Sequence, residues 1–179
     1  MRSKRTQIIT AALRRFRTFG VCGTTLQDVA EASQVPLGNL YYYFKTRDDL
    51  VLAVLEECER ELTLLLTRLA PLPPTAWLAG YFEWLLADPE VAVQLGCPFG
   101  ALATELRALG HPAAPRAADI VHTYLRAVRT HAESLNLPAG TGDDVFLTVQ
   151  GAYVVSRVSG DAALFRASIE RLRIRTLGA

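Results

Sequence analysis

Apolar positions recur every three to four residues through most of the chain, the period of an amphipathic helix, while strand-like alternation is scarce. Ile9, Ala12, Leu13, Phe16 and Phe19 form one stripe, which predicts a first helix over residues 4–19, stopped by Gly20 and Gly23. Thr25, three residues ahead of Asp28, has capping-box spacing and opens a short second helix with Leu26, Val29, Ala30 and Ser33 facing inward. The turn SQVP follows, with Pro36 at the start of a third helix that ends near Phe44. Thr46, with Asp49 three residues on, caps a long fourth helix to residue 69 that carries Leu50, Val54, Leu55, Leu62, Leu65, Leu66 and Leu69. PLPP at 71–74 stops it. A fifth helix is expected over 75–87, and a sixth from Asp88-Pro89 with an interruption at GCPFG (96–100). The last helices are expected at about 113–135, 142–159 and 161–176. The class is all-α.

The third helix has an unusual face. On a helical wheel Leu37, Leu40, Tyr41 and Phe44 share one side and pack on the first two helices. Gly38, Asn39, Tyr42, Tyr43 and Lys45 are left on the other, so one tyrosine is expected mostly in the core and two on display. Phenol hydroxyls donate to phosphate oxygens, an amide reads base edges, and a glycine lets a backbone come close. Short helix, tight turn and short helix make a helix-turn-helix, whose second element would lie in the major groove. The competing reading is a plain aromatic core.

Half of the 179 residues are apolar, enough for a sizeable core in one or two domains. The net charge is only +1, but residues 1–50 carry +4 and the remainder −3. That asymmetry points to nucleic acid or an anionic surface. Cys22, Cys58 and Cys97 are odd in number and widely spaced, which argues for a reducing compartment, the cytoplasm. No cysteine pair has metal-site spacing, and His111, His122 and His131 lie far from them, so neither metal nor cofactor is expected. The start of the chain does not read as a signal peptide, and no apolar run is long enough for a membrane span. No G-x-S-x-G, Walker loop or H-E-x-x-H is present, so an enzyme is not expected.

The stretch TTLQDVAEASQVPLGNLYYYFKTRDDL closely resembles the helix-turn-helix of TetR-type transcriptional regulators. The shared pattern is the threonine before the second helix, the VAxxxxV core, a small residue opening the recognition helix, LYYYF, then lysine and a capped fourth helix. The resemblance spans about residues 4–55, and the chain length and about nine helices suit the family. It implies an N-terminal three-helix DNA-binding domain over 1–46 and a C-terminal ligand-binding and dimerisation domain over 47–179. By position, Thr25, Leu37, Gly38, Asn39, Tyr41, Tyr42, Tyr43, Lys45 and Arg47 match its DNA contacts. Tyr43 departs from the pattern, standing where many members have histidine. The implied partners are a double-stranded DNA operator, a second copy of the chain and a small-molecule effector, with no membrane. The regulator is expected to be a repressor.

Beyond the module, WLAGYFEWLLA crowds aromatic residues into one helix, which suits a pocket for an apolar or aromatic effector. The expected lining is Leu62, Leu66, Trp77, Tyr81, Trp84, Leu85, Cys97, Phe99, Tyr124 and Val128, against the alternative that the aromatics are simply core. Small residues among apolar ones in the two last helices suggest a dimer seam through Val145, Val149, Ala152, Ser156, Leu164, Ser168, Ile169 and Leu172. The alternative is that these helices only close the monomer. Cys97, before Pro98, would sit at a helix start where a thiol becomes reactive. The resemblance extends to a branch that senses electrophiles or oxidants through cysteine, with a structural thiol as the alternative. A helical interaction module without operator binding is the remaining rival.

Overall fold

The computed structural model describes residues 3–135 and 137–178. Among the described residues there are ten helices and no strand. In chain order they are α1 (Lys4–Phe19), α2 (Leu26–Ser33), α3 (Leu37–Tyr43), α4 (Arg47–Leu69), α5 (Pro74–Leu86), α6 (Pro89–Leu95), α7 (Ala101–Ala108), α8 (Ala114–Glu133), α9 (Thr141–Ser159) and α10 (Ala162–Leu177). GCPFG separates two helices instead of interrupting one. Gly96 takes φ 70° and caps α6, a backbone state that L side chains rarely adopt, and Pro98 cannot supply an N–H to continue the helix. Cys97 therefore lies in this connection, three residues ahead of Gly100, the N-cap of α7. The helix-start argument for a reactive thiol does not hold, and Cys97 is buried.

The chain packs as two compact units, Met1–Glu61 with Pro98–Ile120, and Leu62–Cys97 with Val121–Ala179. In the first, α1 packs on α2, α3 and α7. Ile8, Ala12, Phe16, Val29, Leu40, Leu50 and Val54 are buried there, and each large apolar side chain removed from water contributes roughly 1.5–3 kcal/mol. Segment 98–120 is bound to the N-terminal helices by polar contacts as well. Arg116 makes a paired contact to Glu59 on α4 at 2.9 and 2.6 Å. His111 Nε2 lies 3.3 Å from Asp48 Oδ1, outside hydrogen-bond alignment. Cys58 Sγ donates to the Pro98 carbonyl at 3.7 Å. Glu105 of α7 accepts N–H groups from the α1–α2 connection.

In the second unit α10 packs on α9, α5 and α6, and α6 on α9. Trp77, Leu78, Tyr81, Phe82, Tyr124, Val128, Phe165 and Ile169 form its core. Asp161 caps α10 by accepting the Leu164 N–H at 2.9 Å. Helices α8 and α9 approach so closely at Gly142 that a Cβ there would lie 2.6 Å from Arg129 Cα. The Arg129–Asp143 ion pair, at 2.7 Å, closes the same contact.

Candidate nucleic-acid interface

Two reciprocal caps and one left-handed turn set the position of α3. Thr25 Oγ1 accepts the Asp28 N–H at 3.1 Å, and Asp28 Oδ2 accepts the Thr25 N–H at 2.8 Å, a complete capping box at the start of α2. The Thr25 backbone N–H first, and then its hydroxyl, hold the Asp28 carboxyl below the usual carboxylate range, with Arg15 adding to the effect. At the other side, Thr46 Oγ1 accepts the Asp49 N–H at 3.0 Å while Asp49 Oδ2 accepts from Thr46 and Lys45 at 2.9 and 3.1 Å. Between α2 and α3, Gln34 adopts φ 56°, ψ 30°. Its neighbour Val35 donates to the Ala30 carbonyl at 3.1 Å, the six-residue closure of a Schellman stop.

Leu40 and Phe44 anchor α3 in the core. Tyr41, Tyr42 and Tyr43 are 44%, 77% and 38% exposed. The wheel expectation that Tyr41 belongs mostly to the core is corrected. A seven-residue helix docks on two anchors, which leaves its apolar stripe too narrow to cover a third ring. Tyr42 and Tyr43 meet edge to face with centroids 5.1 Å apart, so each ring limits the other's freedom. Gly38, Asn39 and Lys45 are exposed, Leu37 is half-buried, and a Cβ on Gly38 would meet nothing within 4 Å. Thr25 is exposed, but its hydroxyl donates to Asp28 at 2.7 Å, which commits it to the cap. Arg47 turns its guanidinium back to the Val21 carbonyl at 3.4 Å. The face therefore offers phenol hydroxyls, one amide, one ammonium and an open glycine on a helix fixed at both ends.

Trp77, Tyr81, Phe82, Trp84, Tyr124 and Phe146 of the second unit form one aromatic cluster. Tyr81 and Tyr124 share a hydrogen bond, oxygen to oxygen 2.7 Å, with both rings buried. Burial raises both phenol pKa values far above the ordinary range. Trp77 and Trp84 flank Tyr81, at centroid distances of 5.8 and 6.3 Å. His131 lies parallel to Trp77 at 4.0 Å, and Phe146 meets Tyr124 at 5.0 Å. Phe146 was not expected here; the core period Val145, Phe146, Val149 of α9 was its only sequence signal. Leu62, Leu85, Cys97 and Val128 are buried in the same unit, and Leu66 and Trp84 half-buried, while Phe99 belongs to the other unit. Among the described residues no three His, Cys, Asp or Glu side chains group as a metal site requires.

Most residues of the seam drawn from sequence lie inside the chain. Val145, Val149, Ala152, Ser156, Ile169 and Leu172 are buried within the chain, with Leu164 and Ser168 half-buried. The buried ones belong to the unit's own core, in which α9 and α10 pack on each other. The outward side of α9 carries Leu147, Gly151, Val154, Val155 and Val158, all exposed, and α10 adds Ile174. The sequence reading missed this face because both sides of α9 are apolar and periodicity alone does not choose between them.

Residues 8–54 match the sequence model of the family described as bacterial regulatory proteins, tetR family. An uncharacterised HTH-type transcriptional regulator from the lacX 3' region of Lactococcus lactis is 23% identical over 97% of this chain and 93% of its own length. The regulator RutR of Escherichia coli K12 is 42% identical over 55 residues, 31% of this chain and 26% of RutR. A TetR-family transcriptional regulator from Agrobacterium tumefaciens has the same fold, with a TM-score of 0.84 over 96% of both chains at 18% identity. No described helix is long and apolar enough to cross a membrane. A capped helix-turn-helix that matches the family's own sequence model makes residues 8–54 a tetR-family module, and the chain that carries it shares its fold with a solved TetR-family regulator along nearly its whole length.

Proposed function

We propose that this protein is a cytoplasmic, ligand-responsive repressor that binds a palindromic DNA operator as a homodimer. The observation that carries the reading is the outward face of α3, where Gly38, Asn39, Tyr42, Tyr43 and Lys45 stand exposed above the buried Leu40 and Phe44. Tyrosine hydroxyls and Lys45 supply phosphate contacts, Asn39 supplies a base-edge contact, and Gly38 permits close approach. One such module reads few bases, and two related by a two-fold axis span half-sites about one DNA turn, roughly 34–36 Å, apart. The exposed apolar face of α9, with Ile174, supports the second copy. On this reading residues 1–46 carry the DNA contacts and 47–179 the effector and dimer functions.

The effector is a small apolar or aromatic molecule, taken up at the cluster of Trp77, Tyr81, Trp84 and Tyr124. It acts by binding two conformations of the dimer with different affinity, of which one fits the operator. The buried position of Cys97 favours a structural thiol over a sensor. Selection of bound duplexes from a random pool tests the core of the proposal. A palindrome is expected; a single half-site excludes the dimer, and no enrichment leaves an interaction module.

A further inference from the structure

The connection from α1 to α2 turns two successive backbone N–H groups, of Val21 and Cys22, toward α7. Glu105 receives both: Val21 donates to Oε2 at 2.9 Å and Cys22 to Oε1 at 3.1 Å. Consecutive N–H groups on one anion form a backbone nest, and a carboxylate makes each bond charge-assisted. Gly20 provides the opening. It sits at φ 81°, and a Cβ there would lie 2.8 Å from Glu105 Oε1. The other side of the Val21 peptide is held too, since its carbonyl accepts from Arg47 at the start of α4 at 3.4 Å. Thr24, fully buried, donates its hydroxyl to the Gly20 carbonyl at 2.8 Å and leads directly into Thr25, the N-cap of α2.

We infer that Glu105 is a positioning residue for DNA recognition: its carboxylate fixes the α1–α2 connection, and with it the cap of α2 and the pose of α3. The inference rests on the operator-binding reading above. A purely electrostatic role predicts the opposite sign. Removing a negative charge from a protein that binds a polyanion should strengthen binding, whereas losing the latch should weaken it.

The test uses the full chain and the duplex that wild type enriches most from a random pool. Glu105→Gln keeps the shape and loses the charge; Glu105→Ala empties the nest. Both are expected to weaken binding about tenfold, equivalent to about 1.4 kcal/mol, with the salt dependence of affinity unchanged because no phosphate contact is lost. Acetate, compared with chloride at equal ionic strength, is expected to restore part of the Glu105→Ala affinity by refilling the nest. In the free protein, amide exchange at Val21 and Cys22 accelerates in Glu105→Gln while α9 keeps its protection. Equal or stronger binding by the variants overturns the positioning role, as does a salt slope reduced by one phosphate's share. Unfolding of both variants by circular dichroism also overturns it, making Glu105 a folding residue. Unchanged protection at Val21 and Cys22 overturns the latch itself. A wild-type chain that enriches no duplex removes the operator reading instead, and the exchange measurement still decides the latch.

Discussion

Leu40 and Tyr42 stand two positions apart on α3, one with 0% and the other with 77% of its surface exposed. The first sets the docking of the helix and the second is free of that duty. Tyr42→Phe therefore leaves folding unchanged and weakens operator binding by on the order of 1 kcal/mol, the worth of one hydrogen bond to phosphate. Lys45→Ala weakens binding across all sequences and lowers the salt slope by about one unit. An anisotropy titration at several salt concentrations reads both. Wild-type affinity in either variant removes that residue from the interface.

Gly38 separates stability from function. It is exposed inside a helix, and a Cβ would meet nothing within 4 Å. Gly38→Ala is expected to stabilise the chain by about 0.5–1 kcal/mol through helix propensity. On the operator-binding reading, affinity should fall, because the added methyl would lie where that reading brings the DNA backbone close. A variant with raised Tm and undiminished binding would show that no close approach occurs at this position.

Gly142 is also a helix glycine, with the opposite expectation. Its Cβ would lie 2.6 Å from Arg129 Cα, and a backbone atom cannot swing aside as a side-chain tip can. Gly142→Ala should destabilise by about 1–3 kcal/mol, read as a lower midpoint in urea at unchanged slope.

Much of this layout was legible in the chain itself. Both caps around the helix-turn-helix were readable because Thr25–Asp28 and Thr46–Asp49 are local and their chemistry is specific. The exposure of Tyr41 was not, because a wheel ranks faces without knowing how wide the opposing surface is. Glu105 was invisible for another reason: its partners lie more than eighty residues away, and a lone glutamate on an amphipathic helix reads as a solvated charge. The exposed apolar side of α9 was missed because two apolar sides on one helix give periodicity nothing to choose with.

Glu61, at the end of the first unit's share of α4, carries a pH dependence. Its carboxyl pKa is raised, chiefly by burial and then by the like charge of Glu57, with Arg17 and Arg60 pulling the other way. A carboxyl that ionises later in the folded chain than in the unfolded one binds its proton more tightly when folded. Its contribution is fully favourable below the ordinary glutamate value and is lost as pH rises through the folded one. Glu61→Gln should accordingly raise Tm at about pH 7 and make no difference near pH 3, where both side chains are neutral. A Tm offset that does not change with pH would assign the effect to packing instead of charge.

Val158, 86% exposed at the end of α9, belongs to an apolar strip with Leu147, Gly151, Val154 and Val155. The spacing places all five on one helix face, and the buried side of α9 already closes the core through Val145 and Val149. A charge on the outer face has no effect inside the fold, yet two copies brought together by a two-fold axis would bury it without a partner, at a cost of several kcal/mol per ion. Val158→Asp is expected to sediment as a monomer with an unchanged circular dichroism spectrum. Operator affinity should then drop to that of a single half-site, because the second module no longer arrives with the first. Val149→Asp is the internal control, since the same charge on the inner face should unfold the second unit. A Val158→Asp chain that stays dimeric would move the two-fold contact off this face.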